Sequence, residues 1–271
     1  PRPPPATVPC SPLKCLGGLC PRLDLFDSNM TLVGTPTLFI DGEWCASSDG
    51  GRRPTYNPYD ASVIMHVDEA TSNDARRAIA AAKAFFSSSD WSRRSYQDRC
   101  ELLNRMADSL QKNKAELARI ETIDTGKTLG ESEIDIDDVT NVFRFYAKEA
   151  LKLAEDKRVT GPLVPESVKS LVVHEPVGVC VLITPWNYPI LQLCWKLAPA
   201  LATGNVVIVK PSEVTPLSTI YLVHMMLEVG FPSGSIQLLT ASGASIGSVL
   251  TESPDVDLVS FTGGLQTLSL I

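Results

Sequence analysis

Three short polar or glycine-rich stretches each follow a strand-like apolar run. They are Pro185-Trp186-Asn187-Tyr188-Pro189, Lys210-Pro211-Ser212-Glu213 and Phe261-Thr262-Gly263-Gly264. In an open sheet of parallel strands, ligands bind just beyond the carboxyl ends of the strands, so these are the places for function. A fourth stretch, Gly243-Ala244-Ser245-Ile246-Gly247, spells G-x-S-x-G, the string of a nucleophile elbow. A hydrolase of that kind needs a His after its Ser, and no His follows His224. The plain reading of this stretch is a glycine-rich loop capping a helix. Taken alone, Asn187 reads as a turn residue and Lys210–Glu213 as a solvated pair worth under about 1 kcal/mol. Cys180 and Cys194 read as inert buried thiols. His66, His174 and His224 lie too far apart in sequence to suggest a zinc site.

The elements that must place these stretches follow from pattern. Leu38–Met65 is strand-and-turn text, with Asp41-Gly42 as a hairpin turn and Asn57-Pro58 with Asp60 as another turn. A first helix follows Ser72-Asn73-Asp74, which offers N-caps, and repeats Ala75, Ala78, Ile79, Ala82, Phe85 and Phe86 at helical spacing. A second carries Leu102, Leu103, Met106 and Leu110. A third runs from about Ala115 to Asp124, with Gly126 as its stop. A fourth spans about Glu131 to Ala154, with Ile134, Val142, Phe143, Phe145 and Tyr146 as its expected buried stripe. Two strands with a proline-containing connection then lead into a regular alternation. Val179–Thr184, Val206–Lys210, Ile236–Thr240 and Val256–Phe261 read as strands; Leu191–Ala202, Leu217–Val229 and Ser245–Leu250 read as helices. This alternation predicts an α/β fold with a doubly wound parallel sheet.

Bulk properties narrow the class. The chain has 271 residues, 44% hydrophobic and 20% charged, which suits a globular protein with a sizeable core. A net charge of −7 speaks against a nucleic-acid partner. No apolar run is long enough for a membrane span. Seven cysteines with no C-x-x-C favour a reducing, cytoplasmic compartment. Residues 1–29 have neither helical nor strand period, and Met30 looks like a natural start. The segment reads as an upstream read-through or cloning remnant, with a transit peptide as the alternative.

In order along the chain, FIDGEW, ETIDTGK, EPVGV, ITPWNYP, KLAPALATGN, KPSE and SFTGG make the sequence resemble the aldehyde dehydrogenase superfamily, from about Leu38 to Thr267. ITPWNYPILQLCWK and SFTGG are similar to the bacterial-type betaine aldehyde dehydrogenases. The resemblance implies NAD-dependent oxidation of an aldehyde, betaine aldehyde or an aminoaldehyde, to a carboxylic acid, with NADP as the alternative cofactor. It implies amino-terminal strands and helices (30–157), an oligomerisation hairpin (158–177) and an incomplete Rossmann-like cofactor part (178–271). Full-length members are homo-oligomers.

Roles carry over residue by residue. Asn187 matches the family's oxyanion-hole amide, and a neutral donor suits a developing alkoxide. Trp186, Lys210, Glu213, Gly243, Gly247, Phe261, Thr262, Gly263 and Gly264 match cofactor-binding positions. Glu213 would accept from the ribose hydroxyls and repel a 2′-phosphate. Gly263 and Gly264 match the turn beside the pyrophosphate. Tyr188 and Trp195 match aromatic walls around the substrate's ammonium group, although aromatics at a helix start also serve as core. Thr55, Asp124 and Val214 match a monovalent-cation site. The family pattern stops at Leu268, where Gly is expected, which reads as a frameshift, a mis-splice or a truncation. The family's E-L-G-G-K and G-Q-x-C stretches, which carry the catalytic Glu and Cys, do not occur in these residues. Inactivity of the chain alone is therefore expected, and a non-catalytic nucleotide-binding or subunit-interaction fragment is the alternative reading.

Overall fold

The computed structural model describes residues 36–154, 157–158 and 170–269. The leader reading of residues 1–29, the start at Met30 and most of the expected 158–177 hairpin lie outside them. Of that hairpin, Arg158 and residues 170–177 are described; β5 (Lys157–Arg158) and β6 (Leu171–Val172) pair antiparallel.

The chain begins with β1 (Leu38–Ile40) and β2 (Glu43–Cys45), joined by the expected Asp41-Gly42 turn. Both turn residues have positive φ, 54° and 82°, as a two-residue hairpin of this type requires. A second hairpin, β3 (Arg52–Tyr56) and β4 (Val63–Asp68), forms its own two-stranded sheet.

Four helices follow. α1 (Ser72–Ser88) starts one residue earlier than expected: Thr71 is the N-cap, in a capping box with Asp74. Thr71 wins because its hydroxyl reaches the Asp74 amide while the Asp74 carboxylate reaches back, satisfying two end donors at once. α2 (Tyr96–Lys112) buries Leu102, Leu103, Met106 and Leu110 as its period predicts. α3 (Lys114–Thr125) ends at Gly126, whose φ of 79° closes the helix in the left-handed region. α4 (Leu129–Ala150) buries a different stripe from the expected one. Ile136, Val139, Phe143 and Ala147 face the core, while Ile134 and Phe145 are 60% and 55% exposed. The i, i+3, i+4 rule favours the buried set, since residues 134 and 145 fall on the far side of residue 143.

The main sheet has six strands. β7 (Val179–Ile183), β8 (Val206–Lys210), β9 (Ile236–Leu238) and β10 (Leu258–Phe261) are parallel neighbours, and β1–β2 extends the β9 side antiparallel. The expected parallel sheet is thus present within a mixed one, in the order β10-β7-β8-β9-β1-β2. α5 (Pro189–Ala202) and α6 (Leu217–Glu228) make the crossovers, and α7 (Gly243–Thr251) leads to β10. α5 packs on β7 and β8, backed by α4 and α2; α1 packs on β7, β8, β9 and β1 with α7 beside it. Every side chain of β7 and β8 is buried, as two covered faces demand. A last short helix, α8 (Leu265–Leu268), follows β10.

Polar pins lock the layers. The Trp91 indole N–H donates to the Asn205 carbonyl at 2.9 Å, and the Asn205 side chain accepts from Gly178 N at 2.9 Å, fixing the start of β7. Arg99 donates from Nε to the Ala202 carbonyl at 2.9 Å and from Nη1 to the Arg94 carbonyl, tying α2 to the last turn of α5. Burial presses the core thiols upward, Cys180 to about 11, Cys194 well above and Cys100 above its usual value, which disfavours the nucleophilic thiolate form.

His224 of α6 stacks on Trp44 of β2, ring centroids 3.8 Å apart. Burial pushes its pKa down to about 4. The folded state therefore keeps a neutral imidazole, and the stability this represents is present above pH ~6.5, where both states are neutral. As pH falls from there towards 4 the unfolded chain takes a proton that the folded chain refuses, a loss of up to about 3 kcal/mol. His224→Gln should lose less stability than wild type between pH 7 and 4.5 in urea titrations. Parallel pH profiles for the two proteins would sink this assignment.

At the opposite edge no strand among the described residues pairs with the outer side of β10, with Leu258 40% exposed and Leu265 of α8 80% exposed. An open apolar strand edge templates association. The purified chain should elute in size-exclusion chromatography as concentration-dependent oligomers. A compact monomer with strong amide protection through residues 256–261 would refute it.

Candidate active site

Strands β7, β8 and β9 run successively to one side, and β10 returns to the other side of β7. The order of connection reverses between β7 and β10, and in sheets of this kind the ligand crevice lies at the carboxyl ends beside such a reversal. Its two lips are 185–189 after β7 and 262–264 after β10. Backbone closes the strand ends beneath: Thr262 N donates to the Ile183 carbonyl at 3.1 Å and Thr184 N to the Lys210 carbonyl at 3.2 Å.

On the first lip, Tyr188 is the N-cap of α5 and Pro189 its first residue, which costs no hydrogen bond at that position. The loop is held by the Thr215 hydroxyl, which donates to the Trp186 carbonyl at 3.1 Å. Trp186 and Asn187 are exposed, and Tyr188 and Trp195 are 42% and 51% exposed. Aromatics used as core would be covered; these keep much of their surface open. The Tyr188 ring has an internal cation against it, Lys127 Nζ at 4.2 Å from its centroid. Lys127 is held by Asp135 at 2.5 Å and lies 3.5 Å from buried Glu121.

On the second lip, Gly263 and Gly264 lead into α8, with Phe261 half-buried at the end of β10. Lys196 of α5, the helix that begins at the first lip, donates from Nζ to Thr262 Oγ1 of the second lip at 2.5 Å. Burial lowers the Lys196 pKa. Sequence reasoning missed this lysine. The signal was legible: it is the charged residue in the otherwise uncharged helix PILQLCWKLAPALA.

At the end of β8, Lys210 is buried with its Nζ 3.9 Å from Glu213 Oε2, and it donates to the Pro211 carbonyl at 3.2 Å. Burial lowers its pKa, opposed by the Glu213 and Glu69 charges. A solvated pair would leave the lysine in water; this one is held inside. Gly243 and Gly247 lie in α7, capped by Ser242, and a β-carbon at either, or at Gly264, would meet nothing within 4 Å. These glycines therefore face open space at the crevice end of the sheet, as positions left small for a ligand to approach should.

Asp124 ends α3 and is buried; its Oδ2 accepts from Leu217 N at 2.8 Å, holding the start of α6. Burial raises its pKa well above the usual carboxylate value, with the Glu121 charge adding to it. The turn after β3 packs against the same corner, since a β-carbon on Gly126 would lie 2.7 Å from Pro58 Cγ. Thr55 is buried in β3 with its hydroxyl donating to the Met65 carbonyl at 3.2 Å, and Val214 is exposed.

Known proteins resemble this chain in sequence and in overall fold. The family model described as the aldehyde dehydrogenase family matches residues 44–271. Betaine aldehyde dehydrogenase of Bacillus subtilis is 45% identical over 231 residues, covering 85% of this chain and 46% of that protein. Peroxisomal aminoaldehyde dehydrogenase 2 of Pisum sativum is 42% identical over 242 residues, covering 88% and 48%. A crystal structure of betaine aldehyde dehydrogenase from Staphylococcus aureus in complex with NAD+ superposes with a TM-score of 0.83 at 44% identity, covering 88% of this chain and 47% of that one. The chain spans about half the length of the relatives it matches. Its strand-end motifs, its strand order and these likenesses agree, and the chain belongs to the aldehyde dehydrogenase family.

Proposed function

We propose that this chain supplies the cofactor crevice and part of the substrate site for NAD-dependent oxidation of an aldehyde to a carboxylic acid, with betaine aldehyde or an aminoaldehyde as substrate. The observation that carries this reading is the strand-order reversal. Two motif-bearing loops flank it, and Lys196, on the helix that leaves the first, reaches Thr262 of the second.

When bound, the nicotinamide supplies the hydride acceptor; the protein's own groups do the rest. Lys210 and Glu213 are placed for the adenosine ribose, Glu213 accepting from its hydroxyls. Gly243, Gly247 and Gly264 leave room for backbone and helix ends to meet the phosphates, Gly263 admits the Phe261 ring against the backbone, and Trp186, Phe261 and Thr262 would line the crevice. NADP is the alternative cofactor, disfavoured by the Glu213 carboxylate. Asn187, exposed at the crevice lip, is placed to donate to a developing alkoxide, a contribution of about 3–4 kcal/mol for such a donor. The open rings of Tyr188 and Trp195 suit a cationic substrate, gaining about 0.5–2 kcal/mol. Thr55, Asp124 and Val214 are proposed to surround a monovalent cation at the corner where β3, α3 and the start of α6 meet. Assembly into homo-oligomers and a cytoplasmic location complete the reading. Among the described residues no helix is long and apolar enough to cross a membrane.

The alternative reading is that the 271-residue chain binds nucleotide or other subunits without turnover. No NADH should form from betaine aldehyde with the chain alone, because the covalent route needs a thiolate and, among the described residues, burial disfavours that form at Cys100, Cys180 and Cys194. NADH formation that Asn187→Ala abolishes would overturn that expectation.

Nucleotide binding tests the crevice directly. Gly247→Leu should keep or raise the melting temperature, since a helix-interior Gly is the poorer residue by about 1 kcal/mol and its β-carbon meets open space. It should weaken NAD+ binding by about tenfold or more, as a side chain fills the approach. Undiminished NAD+ binding by a folded Gly247→Leu chain would refute the placement.

A further inference from the structure

The β3–β4 hairpin lies outside the six-stranded sheet, yet its end is sewn to the crevice end of β9. Ala70 N donates to the Thr240 carbonyl at 2.8 Å, and the Thr240 hydroxyl donates to the Asp68 carbonyl at 2.6 Å. Between these contacts sits Glu69. Its two carboxylate oxygens receive Arg53 Nε at 2.7 Å and Nη2 at 2.8 Å, a two-pronged pair. Oε1 also accepts from Ser242 N at 2.8 Å, and Ser242 is the N-cap of α7. The residue that follows it is Gly243, at the proposed cofactor crevice.

The same corner holds Lys210 and Glu213. Arg53 and Glu69 both act electrostatically on Lys210, and Arg53 acts on Glu213. The ends of β8 and β9 lie side by side, Leu239 N donating to the Val209 carbonyl at 3.0 Å, so two cations and two carboxylates sit at neighbouring strand ends where the cofactor reading puts the ribose. As a stabilising device the pair would matter little, because Arg53 and Glu69 are 40% and 23% exposed in their side chains and water screens them. A bound phosphate beside them would feel the local sum of charge directly.

We infer that Glu69 is a specificity-determining residue for the nucleotide: it holds Arg53 neutralised beside the ribose end and, with Glu213, keeps the site selective for a free 2′-hydroxyl over a 2′-phosphate. The inference rests on the cofactor reading above. Arg53 is a phosphate ligand in waiting, since its guanidinium fork pairs as readily with phosphate as with carboxylate. Glu69 occupies that fork. With Glu69 neutral the corner gains one unit of positive charge and a free guanidinium, while the Ser242 amide keeps an acceptor from the glutamine carbonyl.

The test is calorimetric titration of NAD+ and NADP+ into the full 271-residue chain. Wild type is expected to favour NAD+. Glu69→Gln should move the ratio of the two dissociation constants towards NADP+ on the order of fivefold, the size of one charge acting on a doubly charged phosphate through about 8 Å of water-like medium. The double variant Glu69→Gln with Arg53→Gln should return the ratio to the wild-type value. A merely structural Glu69 would weaken both nucleotides alike and leave the ratio unmoved, which overturns the inference. Should Glu69→Gln fail to fold, Arg53→Gln alone should shift the ratio towards NAD+ by a similar factor, and an unmoved ratio there overturns it too. A folded wild-type chain that binds neither nucleotide would overturn the cofactor reading itself, and this inference with it.

Discussion

A sheet of parallel strands joined by helical crossovers has both faces covered, so its interior strands can carry almost nothing polar. β7 and β8 obey this completely, burying every side chain from Val179 to Ile183 and from Val206 to Lys210. The consequence is spatial. Groups that need water or ligand are driven off the faces and onto the strand ends. Lys210 marks the limit: it is the last residue of β8, buried, and its ammonium survives there because Glu213, Glu69 and the Pro211 carbonyl answer it.

That constraint also explains where the helices do their work. α5 is buried over most of its length against β7 and β8, and it nonetheless carries Lys196 to the crevice and Trp195 to the surface. The Arg99 and Asn205 contacts hold the carboxyl end of α5 and the start of β7 in one rigid corner. The lips of the crevice are therefore short loops on fixed supports, which is what precise placement of an amide such as Asn187 requires. The amino-terminal hairpins are part of the same support. β1 extends the sheet beside β9, and β4 is stitched to the β9 end through Thr240.

Charge gathers in two clusters among the described residues. One is buried beneath Tyr188, where Lys127 joins Asp135 and Glu121. The other is partly exposed, the Arg53–Glu69 pair at the end of β9 and the Lys210–Glu213 pair at the end of β8. Both gather groups that are distant in sequence and act at close range, and both adjoin residues with proposed roles in binding.

The sequence by itself determined the elements and the strand-end motifs. Their period and punctuation are local, and Gly126, Asp41-Gly42 and the apolar runs of β7 and β8 act over a few residues. It also determined that Asn187, Lys210, Glu213 and Gly263-Gly264 stand at carboxyl ends of strands, because a motif that follows a strand in sequence must follow it in space. Local pattern was weaker where several faces compete: the buried stripe of α4 is Ile136, Val139, Phe143 and Ala147, since packing on α2, α3 and α5 selects among overlapping apolar sets. Only the tertiary structure decided that β10 crosses to the far side of β7, that β1 joins the sheet antiparallel, and that Lys196 meets Thr262. It alone brought Arg53 and Glu69 to the end of β9. Those pairings span tens to nearly two hundred residues of chain. No periodicity encodes them; they follow from which faces can be covered together.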